Sequence, residues 1–214
     1  MDRKDIIFCK TYTCKHGDIE SITESLPRCD WCTSDPLYIS YHDNEWGREV
    51  MEDRKMFEFI VLESAQAGLS WLTILRRREG YRKAFADFDV HNVAQFTEED
   101  VERLMLDSGI IRNRKKIEAT ISNAVCFIST AEEFGSFCNY MRSFLPNGKP
   151  LVNRWKTLKE IPVSTPLSDA ISKDMKKRGF KFFGTIICYA HLQAVGYVND
   201  HLISCFRYSS AKTI

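Results

Sequence analysis

Leu104-Met105-Leu106-Asp107-Ser108-Gly109-Ile110-Ile111-Arg112-Asn113-Arg114-Lys115-Lys116 is the stretch whose reading decides the architecture. Two helical patterns meet here across a short turn. Thr97-Glu98-Glu99-Asp100 resembles a capping box with acidic groups in its first turn and opens a helix to about Leu106. Gly109 breaks it, and Arg112 to Phe127 restarts the helical period with basic residues at its head. Free backbone N–H groups at a helix start bind phosphate, a glycine lets a DNA backbone approach closely, and basic side chains add sequence-independent attraction. Any pair of antiparallel helices shares this outline, so the segment alone leaves a phosphate grip and a plain helical corner both open.

Working outward, the chain reads as nearly all helical. Met56 to Ala67 has the length and composition of a buried helix, and Gly68 interrupts it just before Ser70 caps a second helix from Trp71 to Arg78. Thr165-Pro166 supplies an N-cap with proline at N1, and Gly179 follows the basic last turn Lys176-Lys177-Arg178. A final helix runs from about Thr185 to Val195 and stops at Gly196. Hairpin signals, repeats and low-complexity tracts are missing, and few alternating runs argue for a sheet. Residues 1–27 are polar, lack periodicity and end at Pro27; they read as an extension of uncertain order, with one domain over 28–208 and a short tail over 209–214.

Within the bent pair, Glu58 and Glu63 lie five residues apart, about 140° around the helix axis, so in an apolar segment one of them is expected to turn inward. Glu63 shares a face with Phe59, Ile60, Gln66 and Ala67, and the bend at Gly68 returns Trp71 toward it. A carboxylate beside an indole suits a flat cationic or hydrogen-bonding ligand, although a solvated glutamate flanked by core residues gives the same pattern. Trp31, Tyr38, Tyr41 and Trp46 add aromatics upstream, as core or as pocket wall.

Cys29 with His42 near the start and His201 with Cys205 near the end are candidate zinc ligands. The His201-x-x-x-Cys205 spacing puts two donors on one face of a helical turn. Tying segments about 160 residues apart costs about 4.5 kcal/mol of loop-closure entropy, against roughly 10–16 kcal/mol for a structural zinc. Four protein ligands leave no open position for substrate, so such a metal clasps the fold. Cys32, in a C-x-x-C with Cys29, and the cluster Cys9, Cys14 and His16 are rival ligands on spacing alone.

The chain has 214 residues, 44% hydrophobic, enough for a sizeable core. Without an apolar leader or a membrane-length apolar run, an intracellular, cytoplasmic protein is expected, nuclear if eukaryotic, with its eight cysteines as thiols or metal ligands. The formal net charge of +1 names no partner, but Arg76-Arg77-Arg78, Arg112 to Lys116 and Lys176-Lys177-Arg178 with Lys181 are local clumps of the kind phosphate contact needs, although basic runs at helix ends are more often solvated faces.

Five motifs taken together resemble one family. They are Asp35-Pro36-Leu37-Tyr38-Ile39-x-Tyr41-His42-Asp43-Asn44-Glu45-Trp46-Gly47, Leu62-Glu63-x-x-Gln66-Ala67-Gly68-Leu69-Ser70-Trp71, Ser108-Gly109-Ile110-Ile111-Arg112, Lys177-Arg178-Gly179-Phe180-Lys181-Phe182 and Val198-Asn199-Asp200-His201. In order and without large gaps over residues 28–208, they closely resemble the 3-methyladenine DNA glycosylase I family. The resemblance implies an all-α fold of the helix-hairpin-helix glycosylase superfamily, two helical lobes with a structural Zn²⁺ clasp joining the N- and C-terminal segments. It puts the ligands at Cys29, His42, His201 and Cys205 and makes Cys32 and the Cys9/Cys14/His16 cluster bystanders.

The implied activity is hydrolysis of the N-glycosidic bond of 3-methyladenine in alkylated double-stranded DNA, with the nucleotide flipped into a pocket and the free base as product. By similarity, Glu63 hydrogen-bonds the base edge as the catalytic group, Tyr41 reads the base and Trp71 stacks on it. Trp31, Tyr38 and Trp46 complete the aromatic wall. Gln66 and Leu69 fill the gap left in the duplex, and Gly109, Ile110, Arg112 and Lys115 contact DNA. Many superfamily relatives carry a catalytic Asp or a nucleophilic Lys after the hairpin. Here the stretch reads Ile117-Glu118-Ala119-Thr120-Ile121-Ser122-Asn123-Ala124-Val125, so a monofunctional enzyme that leaves an abasic site is expected, acting as a monomer. The N-terminal extension departs from the family form. A non-enzymatic DNA-binding module would need the hairpin but not the aromatic pocket, and a zinc hydrolase would need an open coordination position.

Overall fold

Asp35 opens α1 (Pro36–Asn44), its carboxylate accepting from the Leu37 N–H at 2.9 Å with proline at the first helical position. This is the first element of a computed structural model that describes residues 26–210. Cys9, Cys14 and His16 therefore lie outside the described residues, as do 211–214.

Helix α2 (Asp53–Gln66) is the central strut. Every residue from Met56 to Ala65 is buried, so it reads as a continuous apolar run where a surface helix would show a stripe. It ends at Gly68 (φ 82°), where the Leu69 N–H closes onto the Gln66 carbonyl at 2.6 Å, and Ser70 Oγ then caps α3 (Trp71–Leu75) by accepting from the Thr73 N–H at 3.2 Å. The second helix of the bend is shorter than its sequence suggests: the chain turns after Leu75 and continues as α4 (Arg78–Ala84).

Both glutamates of α2 are inside, where only one was expected. Glu58 is 3% exposed yet fully partnered, with Arg78 Nε at 2.7 Å and Lys55 Nζ at 2.9 Å, while Arg78 also bonds Glu45 at 2.8 Å. Burial alone would raise the Glu58 carboxyl, but Arg78 holds it below the usual range. Arg78 is thereby withdrawn from the basic clump 76–78.

After α5 (Val90–Val93), Thr97 and Asp100 form the expected capping box of α6 (Glu98–Leu106). The second hairpin helix, α7 (Arg114–Phe134), starts two residues later and ends seven later than its pattern suggests, with Asn113 as N-cap and Gly135 (φ 78°) as terminator. Between them, Gly109 meets Gly80 of α4 so closely that a Cβ on Gly80 would stand 2.2 Å from the Gly109 carbonyl oxygen. The Ile111 N–H donates to Tyr81 Oη at 3.2 Å. Helix α4 thus buttresses the hairpin.

Helix α8 (Phe137–Ser143) packs on α7 and α2, and its first N–H groups, from Phe137 and Cys138, donate to Asp53 at 2.8 and 2.9 Å. Thr165 and Pro166 begin α9 (Pro166–Lys177) as expected, and Gly179 adopts φ 100° beyond its end. Helix α10 (Thr185–Ala194) lies against α9 and α2, and α11 (Phe206–Ser210) closes the described chain. One short parallel pairing, β1 (Leu151–Val152) with β2 (Val198–Asn199), departs from an all-helical reading. Two residues per strand leave no alternation to read in the sequence. Among the described residues no helix is long and apolar enough to cross a membrane.

The glycine contact gives a direct test. Gly80→Ala should push the hairpin off α4 and cost about 1–3 kcal/mol; urea unfolding measures it, and a loss below about 0.5 kcal/mol would mean that the two backbones are not held in contact.

Candidate active site and metal centre

The bend at Gly68 places Glu63 and Trp71 on one cleft of about 300 Å³, together with Trp31, Tyr38, Tyr41, Trp46, Gln66, Leu158, Ile161, Ala190 and Gln193. That is a volume at the lower end of small-molecule pockets. Glu63 is 3% exposed and takes no hydrogen bond from the described residues. Burial without a partner pushes its carboxyl up to about 8. Tyr41 is buried 5.4 Å from the Trp71 ring, centroid to centroid, and burial with the nearby Glu63 raises its phenol well above the usual value, which keeps it a proton donor. Trp71 Nε1 is buried and unpartnered. Glu63 and Tyr41 thus bring polar groups to an aromatic slot, a combination suited to a flat ring with hydrogen-bonding edges.

Behind the aromatic wall stand Cys29, His42, His201 and Cys205, all buried, their donor atoms within 4.8 Å of one another. Sγ of Cys29 is 3.5 Å from His201 Nδ1, and Sγ of Cys205 is 3.4 Å from His42 Nε2 and 3.6 Å from His201 Nδ1. Ligands at about 2.0–2.3 Å from a tetrahedral centre stand about 3.5 Å apart, so the donor set has the spacing and chemistry of a closed four-ligand metal site. A hydrogen bond from Cys29 pulls the Cys205 thiol far below its ordinary value, with His201 and His42 adding to it, so one sulfur already favours the thiolate a metal needs. His42 Nδ1 meets Asp43 at 2.8 Å, and Arg28 bonds that carboxylate at 2.7 Å, which fixes the ring with Nε2 toward the cluster. Cys32 is half-buried and stands outside the group.

The two features share walls. The Trp46 ring lies 4.6 Å from His201 and 5.0 Å from Trp31, and Trp31 lies 5.2 Å from His42. Gly47 (φ 75°) completes the junction, because a Cβ there would come within 2.8 Å of His201 Nε2.

A family model for methyladenine glycosylases matches residues 31–208. The chain belongs to that family. DNA-3-methyladenine glycosylase 1 of Escherichia coli is 52% identical over 187 residues, 87% of this chain and all of that protein. Among solved structures, a crystal structure of 3-methyladenine DNA glycosylase I superposes with a TM-score of 0.82 at 53% identity, covering 84% of this chain and 98% of the other. A variant of 3-methyladenine DNA glycosylase I in complex with 3-methyladenine superposes at 0.81 with 37% identity, covering 84% and 96%.

Of the residues expected to form the base site of this methyladenine glycosylase family member, Glu63, Tyr41, Trp71, Trp31, Tyr38 and Trp46 all line one cleft, joined by Gln66. Leu69, 40% exposed, projects beside it at the bend. The hairpin is more mixed. Arg112 and Lys115 are exposed and make no ion pair among the described residues. The Ile110 side chain fills the core at 3% exposure, which leaves its backbone for any contact with DNA. The Gly109 N–H is already given to Asp107 at 2.7 Å. Arg114 pairs with Glu98 and Glu102, and Arg178 with Glu133 and Asp174, so much of the basic clumping is neutralised locally. Lys116 turns inward and donates to the Ala65 and Ala67 carbonyls at 2.9 and 2.7 Å, tying the hairpin helix to the Gly68 bend. Leu158, Ile161, Ala190 and Gln193 were not legible as pocket residues. One available signal was Gln193, which with His191 interrupts the largely apolar run of α10.

The raised Glu63 carboxyl fixes a pH dependence. Between an ordinary value of 4.5 and about 8 the folded protein holds a proton that the unfolded chain has lost, so stability falls as pH rises through that window. Glu63→Gln removes this penalty. Relative to the parent, the variant should gain stability by up to about 1.4 kcal/mol per pH unit from pH 5 toward pH 8, and level off above. Urea unfolding at several pH values checks it; a difference that stays flat with pH would place Glu63 in water.

Proposed function

We propose that this protein is a DNA repair glycosylase that removes 3-methyladenine from alkylated DNA. The observation that carries the reading is the buried, unpartnered Glu63 beside Trp71 and Tyr41 in an aromatic cleft of about 300 Å³. The E. coli relative bears the name of this activity across its full length, and the solved relative binds the free base.

The residues divide the work by their chemistry. N3-methylation makes the base cationic, so it departs as a neutral product and needs modest assistance. Glu63 accepts hydrogen bonds from the base edge, and the cation, arriving next to a desolvated carboxyl, draws its proton equilibrium back toward the carboxylate. The resulting buried ion pair also favours a charged, damaged base over neutral adenine. Tyr41 supplies a hydroxyl that stays protonated, and Trp71, Trp31, Tyr38 and Trp46 offer ring faces to the flipped nucleotide. Gln66 and Leu69, on the turn tied by Lys116, occupy the vacated stack. Arg112, Lys115 and the Ile110 backbone contact phosphates in a helix-hairpin-helix manner, while the Gly109 N–H, held by Asp107, shapes the turn. Lys116 is committed to two carbonyls and cannot serve as a nucleophile, which supports a monofunctional reaction that leaves an abasic site. The working unit is the domain over 28–208, acting as a monomer on double-stranded DNA.

Cys29, His42, His201 and Cys205 would hold a structural Zn²⁺ that supplies cross-linking and no catalysis, since all four positions are filled by protein. The donor distances support it. A zinc hydrolase would require an open position that this set lacks, and a binding module without chemistry would have no use for a buried acid in a slot.

Release of 3-methyladenine from methylated duplex DNA, followed by chromatography of the free base, tests the reading. Glu63→Gln should lower release by about 10²-fold or more while DNA affinity stays within about twofold; equal release by the two proteins removes Glu63 from its role. Separately, Cys29→Ser should lose bound zinc by elemental analysis and lower the melting temperature together. Unchanged metal stoichiometry would contradict the clasp.

A further inference from the structure

One wall of the cleft is organised by one buried carboxylate. Asp200 is 1% exposed and accepts four hydrogen bonds: Asn153 Nδ2 and Trp155 Nε1 at 2.7 Å on Oδ1, Tyr189 Oη at 2.6 Å and Gln193 Nε2 at 2.7 Å on Oδ2. It therefore ties α10, which contributes Ala190 and Gln193 to the cleft, to the segment after β1 that leads into Leu158 and Ile161. None of these contacts involves Glu63 or the metal-ligand atoms.

The consequence lies in Gln193. An amide has a donor end and an acceptor end of nearly equal shape, and its orientation is set by its partners. A carboxylate only accepts, so the nitrogen must face Asp200. The carbonyl oxygen, Oε1, accepts no hydrogen bond from the described residues, and it is the acceptor that this side chain has left to offer in the cleft. A site built with an unpaired acceptor rejects a ligand that brings another acceptor to it.

The geometry points to Gln193 as a specificity-determining residue and Asp200 as its positioning residue: Asp200 locks the amide so that Oε1 selects a purine whose edge carries an exocyclic amine over one with a carbonyl at that place. This rests on the glycosylase reading, because it presumes that a methylated purine occupies the cleft. It adds a second reader to Glu63 and Tyr41, one that separates aminopurine from oxopurine lesions by hydrogen-bond polarity, independently of charge.

The test uses the full chain and two free bases, 3-methyladenine, with an amine at position 6, and 3-methylhypoxanthine, with a carbonyl there, their dissociation constants measured by calorimetry. Gln193→Met keeps the length of the side chain and removes its polarity. It should lower the preference for 3-methyladenine over 3-methylhypoxanthine about tenfold, the scale of one hydrogen bond. Asp200→Asn, whose own amide can present either end, should lower the same ratio, and the double variant should fall no further than Gln193→Met alone. Zinc content and melting temperature are followed for each variant, so that a loss of folding is seen as such, and the Gln193→Met arm stands by itself. If both bases weaken equally and the ratio is kept, Gln193 only packs and the proposal is overturned. A ratio retained in Asp200→Asn with folding intact overturns the positioning role. Wild-type protein that binds neither base overturns the glycosylase reading and this inference with it, whereas binding with an unchanged variant ratio overturns this inference alone.

Discussion

A carboxyl group held out of water with nothing to bond it is the constraint on which the rest of this molecule turns. Left to itself, Glu63 would be solvated; α2 is buried from Met56 to Ala65, so the side chain can leave the core only into the cleft. Keeping it there costs stability at neutral pH, because the folded state must either hold a proton or bury a charge. The fold carries that cost with ordinary core packing on the other faces of α2 and by partnering the second acid, Glu58, fully with Arg78 and Lys55. Two glutamates on one helix thus end in opposite electrostatic states. The difference is one of partners, since both are equally buried.

The remaining walls of the slot are brought in from far along the chain. The tetrad Cys29, His42, His201 and Cys205 joins the first described residues to the last, and Trp31 and Trp46 rest directly on its imidazoles. The Phe206 N–H reaching the Pro27 carbonyl at 2.8 Å closes the same seam through the backbone. Asp200, one residue before His201, secures the far side through Gln193 and Trp155. A short run at the C-terminal end therefore supports the Cys/His cluster and the pocket at once.

The hairpin presents a different economy of charge. Of its basic residues, Arg114 is spent on acids of the preceding helix and Lys116 on the carbonyls before Gly68, leaving Arg112 and Lys115 outward. Lys116 sits where a helix C-terminus gathers unsatisfied carbonyls, a favourable place for an ammonium. Its contacts make the turn bearing Gln66 and Leu69 and the start of α7 one mechanical unit.

Glycines, caps and the apolar run of α2 were legible because they act locally: Gly68, Ser70, Thr97, Thr165 and Gly179 set backbone geometry within a few residues of themselves, and the helices expected from them followed to within a turn, except at the long end of α7, whereas α1, α4, α5, α8 and α11 had no expected counterpart. The inward acid was legible too, since a glutamate in a wholly apolar helix has nowhere polar to go, although pattern alone missed that Glu58 would be buried as well. Spacing proposed Cys29, His42, His201 and Cys205 but left Cys32 beside them, because ligand selection depends on where chains separated by more than a hundred residues cross. Leu158, Ile161, Ala190 and Gln193 had no periodic signature for a cleft. What the sequence determined by itself was the inventory of helices, bends and chemically able side chains, through short-range rules. Which of those side chains share a cavity, which cations are consumed by neighbouring acids, and which end of the Gln193 amide is left free were decided only when the chain folded, because burial and partner choice are properties of long-range contact.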